Sequence, residues 1–248
     1  MADGILHDRR ALVTGGAVRL GKSITLALAE NGAEIVIHFN RSKSDAEKLR
    51  DEIIAGGMKA HIVQSDFNSD GEIGTLIDRA NEICGPIDIL VNSASIFRDE
   101  PPVELSLESL NENVRINAWT PYLLTREFAR QLPDRKSGSV VNILDARIAG
   151  FDLNHSGYIL SKQMMHQFTI MTAMEFAPKI TVNAVAPGAI LPPEGQDQMY
   201  LERMTSNLPI NRPGSPVDIA DAVVFLASSN YITGQVIYVD GGRHLLGN

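Results

Sequence analysis

The chain has 248 residues, 44% of them hydrophobic and 21% charged, an ordinary globular balance that excludes intrinsic disorder and fibrous repeats. With 22 Lys and Arg against 30 Asp and Glu the net charge is −8, so no overall positive field exists to attract nucleic acid or an anionic membrane, and neither is expected as a partner. Cys84 is the only cysteine and the six histidines are scattered, which excludes an internal disulfide and a thiolate metal cage and predicts no metal site.

Taken in chain order, short apolar runs predict strands near 11–14, 34–38, 59–64, 87–92, 139–144, 181–185 and 235–239,. Longer amphipathic stretches separate them. One is 21–31, with Ile24, Ala27 and Leu28 on one face, and another is 161–176, with Met164, Phe168 and Met171 on one face. Strands alternating with helices predict one doubly wound α/β domain of Rossmann type over 1–248, with a seven-stranded, mostly parallel sheet and helices on both faces. The stretch 187–216 carries six prolines and three glycines, and a loop of that length is expected to act as a substrate lid, around 189–215. Within it Met199, Tyr200 and Met204 read either as a pocket-facing stripe or as ordinary helix packing. The opening MADGILHDRR lacks the layout of a signal peptide and no apolar run approaches the ~20 residues that span a bilayer, so a cytoplasmic protein is expected,.

TGGAVRLG, residues 14–21, follows the first strand and opens the first helix. Backbone amides and the helix dipole there can hold a pyrophosphate, which assigns Gly15, Leu20 and Gly21 to a dinucleotide. Taken alone, such a turn is also compatible with a plain tight loop. Arg19 stands where many such turns keep a second glycine, and brings a guanidinium toward the phosphates. The second strand ends HFNRSKS, where His38, Asn40, Arg41, Ser42 and Lys43 offer donors and positive charge with no carboxylate before Asp45. A ribose 2′-phosphate is stabilised by such a set, whereas a bare ribose lacks its acceptor, so NADPH or NADP is the expected cofactor. The bland alternative is a solvated basic helix start. Asp66 and Phe67, after the third strand, are placed to bound an adenine, or Asp66 only caps a helix.

Tyr158 and Lys162 lie four residues apart at a helix start, so both project from one face,. A nearby ammonium is expected to lower the phenol's pKa and make it a usable proton donor.

TGGAVRLG, the NSAS of residues 92–95, Asn117, Tyr158 with Lys162, Pro187 with Gly188, and YITGQVIYVDGG together resemble the short-chain dehydrogenase/reductase family over nearly the whole chain. The resemblance implies a proton relay of Asn117, Tyr158 and Lys162, cofactor contacts from Asn92, Ala94, Ser95, Pro187, Gly188 and Ile190, and a homotetramer. One departure is informative. The family usually has a serine 13 residues before the tyrosine to bond a substrate carbonyl, and Asp145 stands there. An ionised carboxylate only accepts hydrogen bonds, so it opposes a developing alkoxide and suits a substrate that presents N–H donors. Arg19, HFNRS and Asp145 together look like the pteridine reductase branch, which implies reduction of a dihydropteridine C=N bond. In that branch an aromatic residue stacks on the pterin, a position held by Phe97, and Ser95, Arg19, Asp145 and Tyr158 complete the substrate contacts. Ser93 and the apolar Ile190 and Leu191 depart from the family pattern, leaving nicotinamide contacts to the backbone. The alternatives are a carbonyl reductase acting on a ketone, sugar or 3-oxoacyl thioester, and a catalytically silent NADP(H)-binding regulator.

Overall fold

The strands are β1 (Arg10–Thr14), β2 (Glu34–Phe39), β3 (Ala60–Gln64), β4 (Ile89–Asn92), β5 (Gly138–Ile143), β6 (Ile180–Pro187) and β7 (Val236–Val239), in a computed structural model that describes residues 4–134, 136–193 and 195–246. Positions 1–3, 135, 247 and 248 of the expected domain and position 194 of the expected lid lie outside the described residues. The strands form one sheet in the order β3-β2-β1-β4-β5-β6-β7, and every neighbouring pair is parallel. The helices are α1 (Arg19–Glu30), α2 (Lys43–Ala55), α3 (Asp70–Cys84), α4 (Leu107–Val114), α5 (Thr120–Gln131), α6 (Ser156–Phe176), α7 (Gln198–Thr205) and α8 (Pro216–Ser228).

The central strands read as unbroken apolar runs because both faces are covered. Along β1 the side chains alternate between two cores. Ala11 and Val13 pack with Ile24 and Leu28 of α1, Leu49 of α2 and Val223 of α8. Leu12 packs with Leu76 and Ile77 of α3 and Leu124 and Phe128 of α5. Each fully buried aliphatic side chain of this kind contributes roughly 1.5–3 kcal/mol.

One packing expectation is corrected. α6 turns Tyr158, Lys162, Met165 and Thr169 inward, while Met164 and Met171, expected with Phe168 on one face, are 39% and 59% exposed. The helix is apolar nearly all round, so periodicity does not choose its inner face. In the lid, α7 buries Leu201 and Thr205 and leaves Met199 and Met204 exposed. Among the described residues no helix is long and apolar enough to cross a membrane.

The strand order reverses between β1 and β4, where Thr14 pairs with Asn92. Open α/β sheets bind ligands outside the strand C-termini at such a point, and the sequence motifs converge there.

Candidate active site

The glycine turn is fixed by close approach. A Cβ on Gly21 would stand 2.0 Å from the Gly15 carbonyl oxygen, and one on Gly15, whose φ is +61°, would stand 2.9 Å from the Ala94 Cα. Thr14 Oγ1 accepts the Ser93 and Ala94 amides at 3.0 and 3.1 Å, which seats the NSAS segment beside the turn. Asn92 braces it from below, donating to Asn142 Oδ1 at 2.8 Å. Leu20 packs against the first core. Arg19 has φ +51°, the left-handed region that explains why glycine is frequent at this place in such turns, and its guanidinium donates to the Pro192 carbonyl of the lid at 2.8 Å.

At the end of β2 the expectations divide. Among the described residues the Arg41 side chain is exposed and makes no hydrogen bond or ion pair, and the Ser42 side chain caps nothing. These two are free for a phosphate. Asn40 Nδ2 instead donates to Asp66 Oδ1 at 3.2 Å, and the same oxygen accepts the Asn68 amide, closing a turn. His38 is a correction. It is buried, its Nδ1 accepts the Gly15 amide at 3.1 Å and its Nε2 donates to the Ser65 carbonyl at 3.1 Å. Burial holds its pKa down at about 4, so the ring is neutral and brings no charge to a phosphate,. Phe67 lies buried and stacked on that ring with centroids 4.5 Å apart, and is not open to an adenine. Gly188 donates its amide to Val239 at 3.0 Å, and the Ile190 side chain joins the first core, so after Pro187 the loop offers mainly backbone. The glycine cradle with free Arg41 and Ser42 fits a dinucleotide that carries an additional phosphate.

The candidate catalytic residues gather where β5, the start of α6 and the segment after β4 meet. Tyr158 donates its phenol proton to Asp145 Oδ2 at 3.1 Å. Lys162 donates to the Ile143 carbonyl at 2.8 Å and lies 5.6 Å from the Tyr158 ring centroid. Burial lowers the Lys162 pKa to about 8, with Asp145 opposing the shift. In this site other groups outweigh any lowering of the phenol by Lys162. Burial, and then the charge of Asp145, push Tyr158 well above its ordinary value. The phenol therefore keeps its proton. Phe97, 44% exposed, meets Tyr158 edge-on with centroids 4.8 Å apart and stacks on His155 at 4.1 Å.

Asn117 lies in a π-helical turn, Arg115–Trp119. Its Oδ1 accepts from the Ile96 amide and Ser95 Oγ, and its Nδ2 donates to the Ile96 carbonyl and Ser161 Oγ, all within 2.9–3.0 Å. These side-chain bonds fix Ser95 and Ile96, the two residues before Phe97, against the π-helical turn.

Sequence reasoning missed Arg147. Its Nε donates to Asp145 Oδ1 at 2.9 Å and its Nη2 to Asp145 Oδ2 at 2.7 Å, a two-pronged clamp, while Nη1 donates to Asp152, which also pairs with His155 Nδ1 at 2.9 Å. Burial works against the Arg147 charge, but the bonds to Asp145 prevail and raise its pKa. The same guanidinium holds Asp152 below the usual carboxylate range against the effect of burial. Asp145 also caps the short turn Ala146–Ala149 through the Arg147 amide. A carboxylate followed two residues on by arginine at a strand end was the available signal.

The family profile described as enoyl-(acyl carrier protein) reductase matches residues 16–244. The chain is 32% identical over 242 residues to 3-oxoacyl-[acyl-carrier-protein] reductase FabG of Staphylococcus aureus (strain Mu50), covering 96% of this chain and 98% of the relative. It is 34% identical to 3-oxoacyl-[acyl-carrier-protein] reductase of Synechocystis sp., covering 94% and 95%. Among solved structures, FolM alternative dihydrofolate reductase 1 from Brucella suis in complex with NADP superposes with a TM-score of 0.93 at 36% identity, covering 97% and 96%.

Proposed function

The chain belongs to the short-chain dehydrogenase/reductase family, and on that premise we propose that it is an NADPH-dependent reductase of a dihydropteridine C=N bond. The carrying observation is Asp145, which stands in the place of the family's serine and is clamped by Arg147 within reach of Tyr158. The Brucella structure, a dihydrofolate reductase by its name and an NADP complex, supports the same reading.

Arg41 and Ser42 would hold the 2′-phosphate, the Gly15–Gly21 turn the pyrophosphate, and Lys162 the nicotinamide ribose. Bound NADPH supplies the hydride. Tyr158 gives its proton to the ring nitrogen as the neighbouring carbon is reduced, so that C=N becomes CH–NH. Asp145 accepts a ring N–H, and Phe97 flanks the ring. Each such hydrogen bond to a charged group contributes about 1.5–3 kcal/mol. The single domain closes over its substrate with the 189–215 lid, which Arg19 ties to the glycine turn. The chain assembles as a homotetramer, a reading supported by the exposed Trp119, Met171 and Met174 on the π-helical turn and α6.

A second reading, a 3-oxoacyl thioester reductase, is favoured by the names of the Staphylococcus and Synechocystis relatives. Initial rates of NADPH oxidation with dihydrobiopterin and dihydromonapterin, set against ketones and 3-oxoacyl thioesters, separate the two. Dihydropterin turnover with ketones near background supports the first, and thioester turnover without dihydropterin turnover supports the second.

A further inference from the structure

A carboxylate has about four acceptor positions, and Asp145 has all four filled. Oδ1 accepts from the Arg147 amide and Arg147 Nε, both at 2.9 Å, and Oδ2 accepts from Arg147 Nη2 at 2.7 Å and from the Tyr158 phenol at 3.1 Å. Three of the four donors therefore belong to one residue. The fourth is the proton donor itself, on the longest of the four bonds.

Two consequences follow from the count. A substrate N–H cannot reach Asp145 without displacing a donor already present, and the backbone amide and the two-pronged guanidinium are the harder pair to move. Arg147 is tethered again at its far end by Asp152, which is held in turn by His155. The phenol, free to turn about its own C–O bond, is the donor that yields. Conversely, the phenol cannot leave Asp145 for a substrate without stripping a bond from a buried carboxylate, unless the substrate refills the position.

We propose that Arg147 is a specificity-determining positioning residue: by occupying three acceptor positions of Asp145 it forces an incoming N–H to exchange with the Tyr158 phenol, so that only a donor-bearing substrate releases the proton donor without loss. A ketone has no such donor. It takes the phenol proton at the expense of an unsatisfied position on Asp145, a penalty of roughly tenfold to a hundredfold in rate. The inference rests on the dihydropteridine reading above and deepens it, because it locates the choice of substrate class in Arg147 and not in Asp145 alone.

The test is a cycle between substrate and side chain. Purified full-length protein, saturated with NADPH, is assayed with a dihydropterin and with analogues methylated at ring N3 and at the exocyclic amine, in the wild type and in Arg147→Met. In the wild type, removing the N–H that meets Asp145 is expected to lower kcat roughly tenfold to a hundredfold. In Arg147→Met, where vacant acceptor positions let the N–H bind without exchange, the parent substrate is expected to keep its KM within about threefold while kcat falls, and methylation to cost less than about threefold. Equal methylation effects in the two proteins would overturn the inference while leaving the dihydropteridine reading intact. A wild type that reduces ketones and no dihydropterin overturns that reading and the exchange rule with it. NADPH affinity and thermal unfolding report whether each variant is folded. If Arg147→Met does not fold, Arg147→Lys serves in its place. It keeps the charge and loses the fork, so its methylation effect is expected to lie between the other two, and an unchanged effect would count against the proposal.

Discussion

The neutral imidazole of His38, near the C-terminal end of β2, accepts the amide of Gly15 at 3.1 Å and so holds the glycine turn open above β1. Protonating Nδ1 abolishes that bond. Because the folded pKa is about 4 and the ordinary value 6.5, the unfolded chain binds the extra proton between these pH values and the folded chain does not. Stability therefore rises with pH across that window and is lost as pH falls from 6.5 toward 4, by about 3 kcal/mol in all. Replacing His38 by Asn keeps an acceptor and removes the titration. Chemical denaturation at pH 7 and pH 5 should show a shallower loss in His38→Asn than in the wild type, and identical losses would contradict this assignment.

Lys162 is expected to set the alkaline limit of the site. Its pKa, lowered to about 8 by burial, is reached before that of the Tyr158 phenol, which is pushed well up. The profile of kcat/KM for NADPH, which reports the free enzyme, should fall about tenfold per pH unit above a bend near 8 as the ammonium is lost. Arg is charged throughout this range, so Lys162→Arg, however slow, should lose the bend. A bend that persists unchanged would assign it to another group.

Free Arg41 at the end of β2 predicts cofactor choice. Arg41→Ala should weaken NADPH roughly tenfold to a hundredfold, the worth of a charge-assisted bond, and leave NADH nearly unaffected. Binding measured by cofactor fluorescence decides it, and equal weakening of both cofactors would remove Arg41 from the phosphate site.

The fold was legible because seven apolar runs spaced by helices admit one economical arrangement, and the structure places every predicted strand within two residues of its expected ends. Tyr158 and Lys162 were legible from their helical spacing. His38 was misread because a basic-looking run near a strand end hides which side chain points into the sheet. Its position in β2 turns the ring inward to Ser65 while Arg41, three residues on, leaves the strand. Arg147 was only half legible, for a different reason. Spacing gives proximity to Asp145 but not the buried two-pronged geometry, which depends on Asp152 and His155 beyond the turn. The inner face of α6 was ambiguous because Met164 and Met165 are equally apolar neighbours, and only packing against the sheet chooses Met165.

The central claim is that the carboxylate of Asp145 selects a substrate bearing N–H donors. The most direct measurement is kcat/KM with NADPH for a dihydropterin and for a 3-oxoacyl thioester in the wild type and in Asp145→Ser, with NADPH affinity as the control. Serine restores a donor for a carbonyl oxygen and removes the acceptor, so the ratio of dihydropterin to thioester activity should fall by roughly a hundredfold, since a donor is gained for one substrate and an acceptor lost for the other. A ratio unchanged by the substitution, with NADPH still bound, would contradict the account.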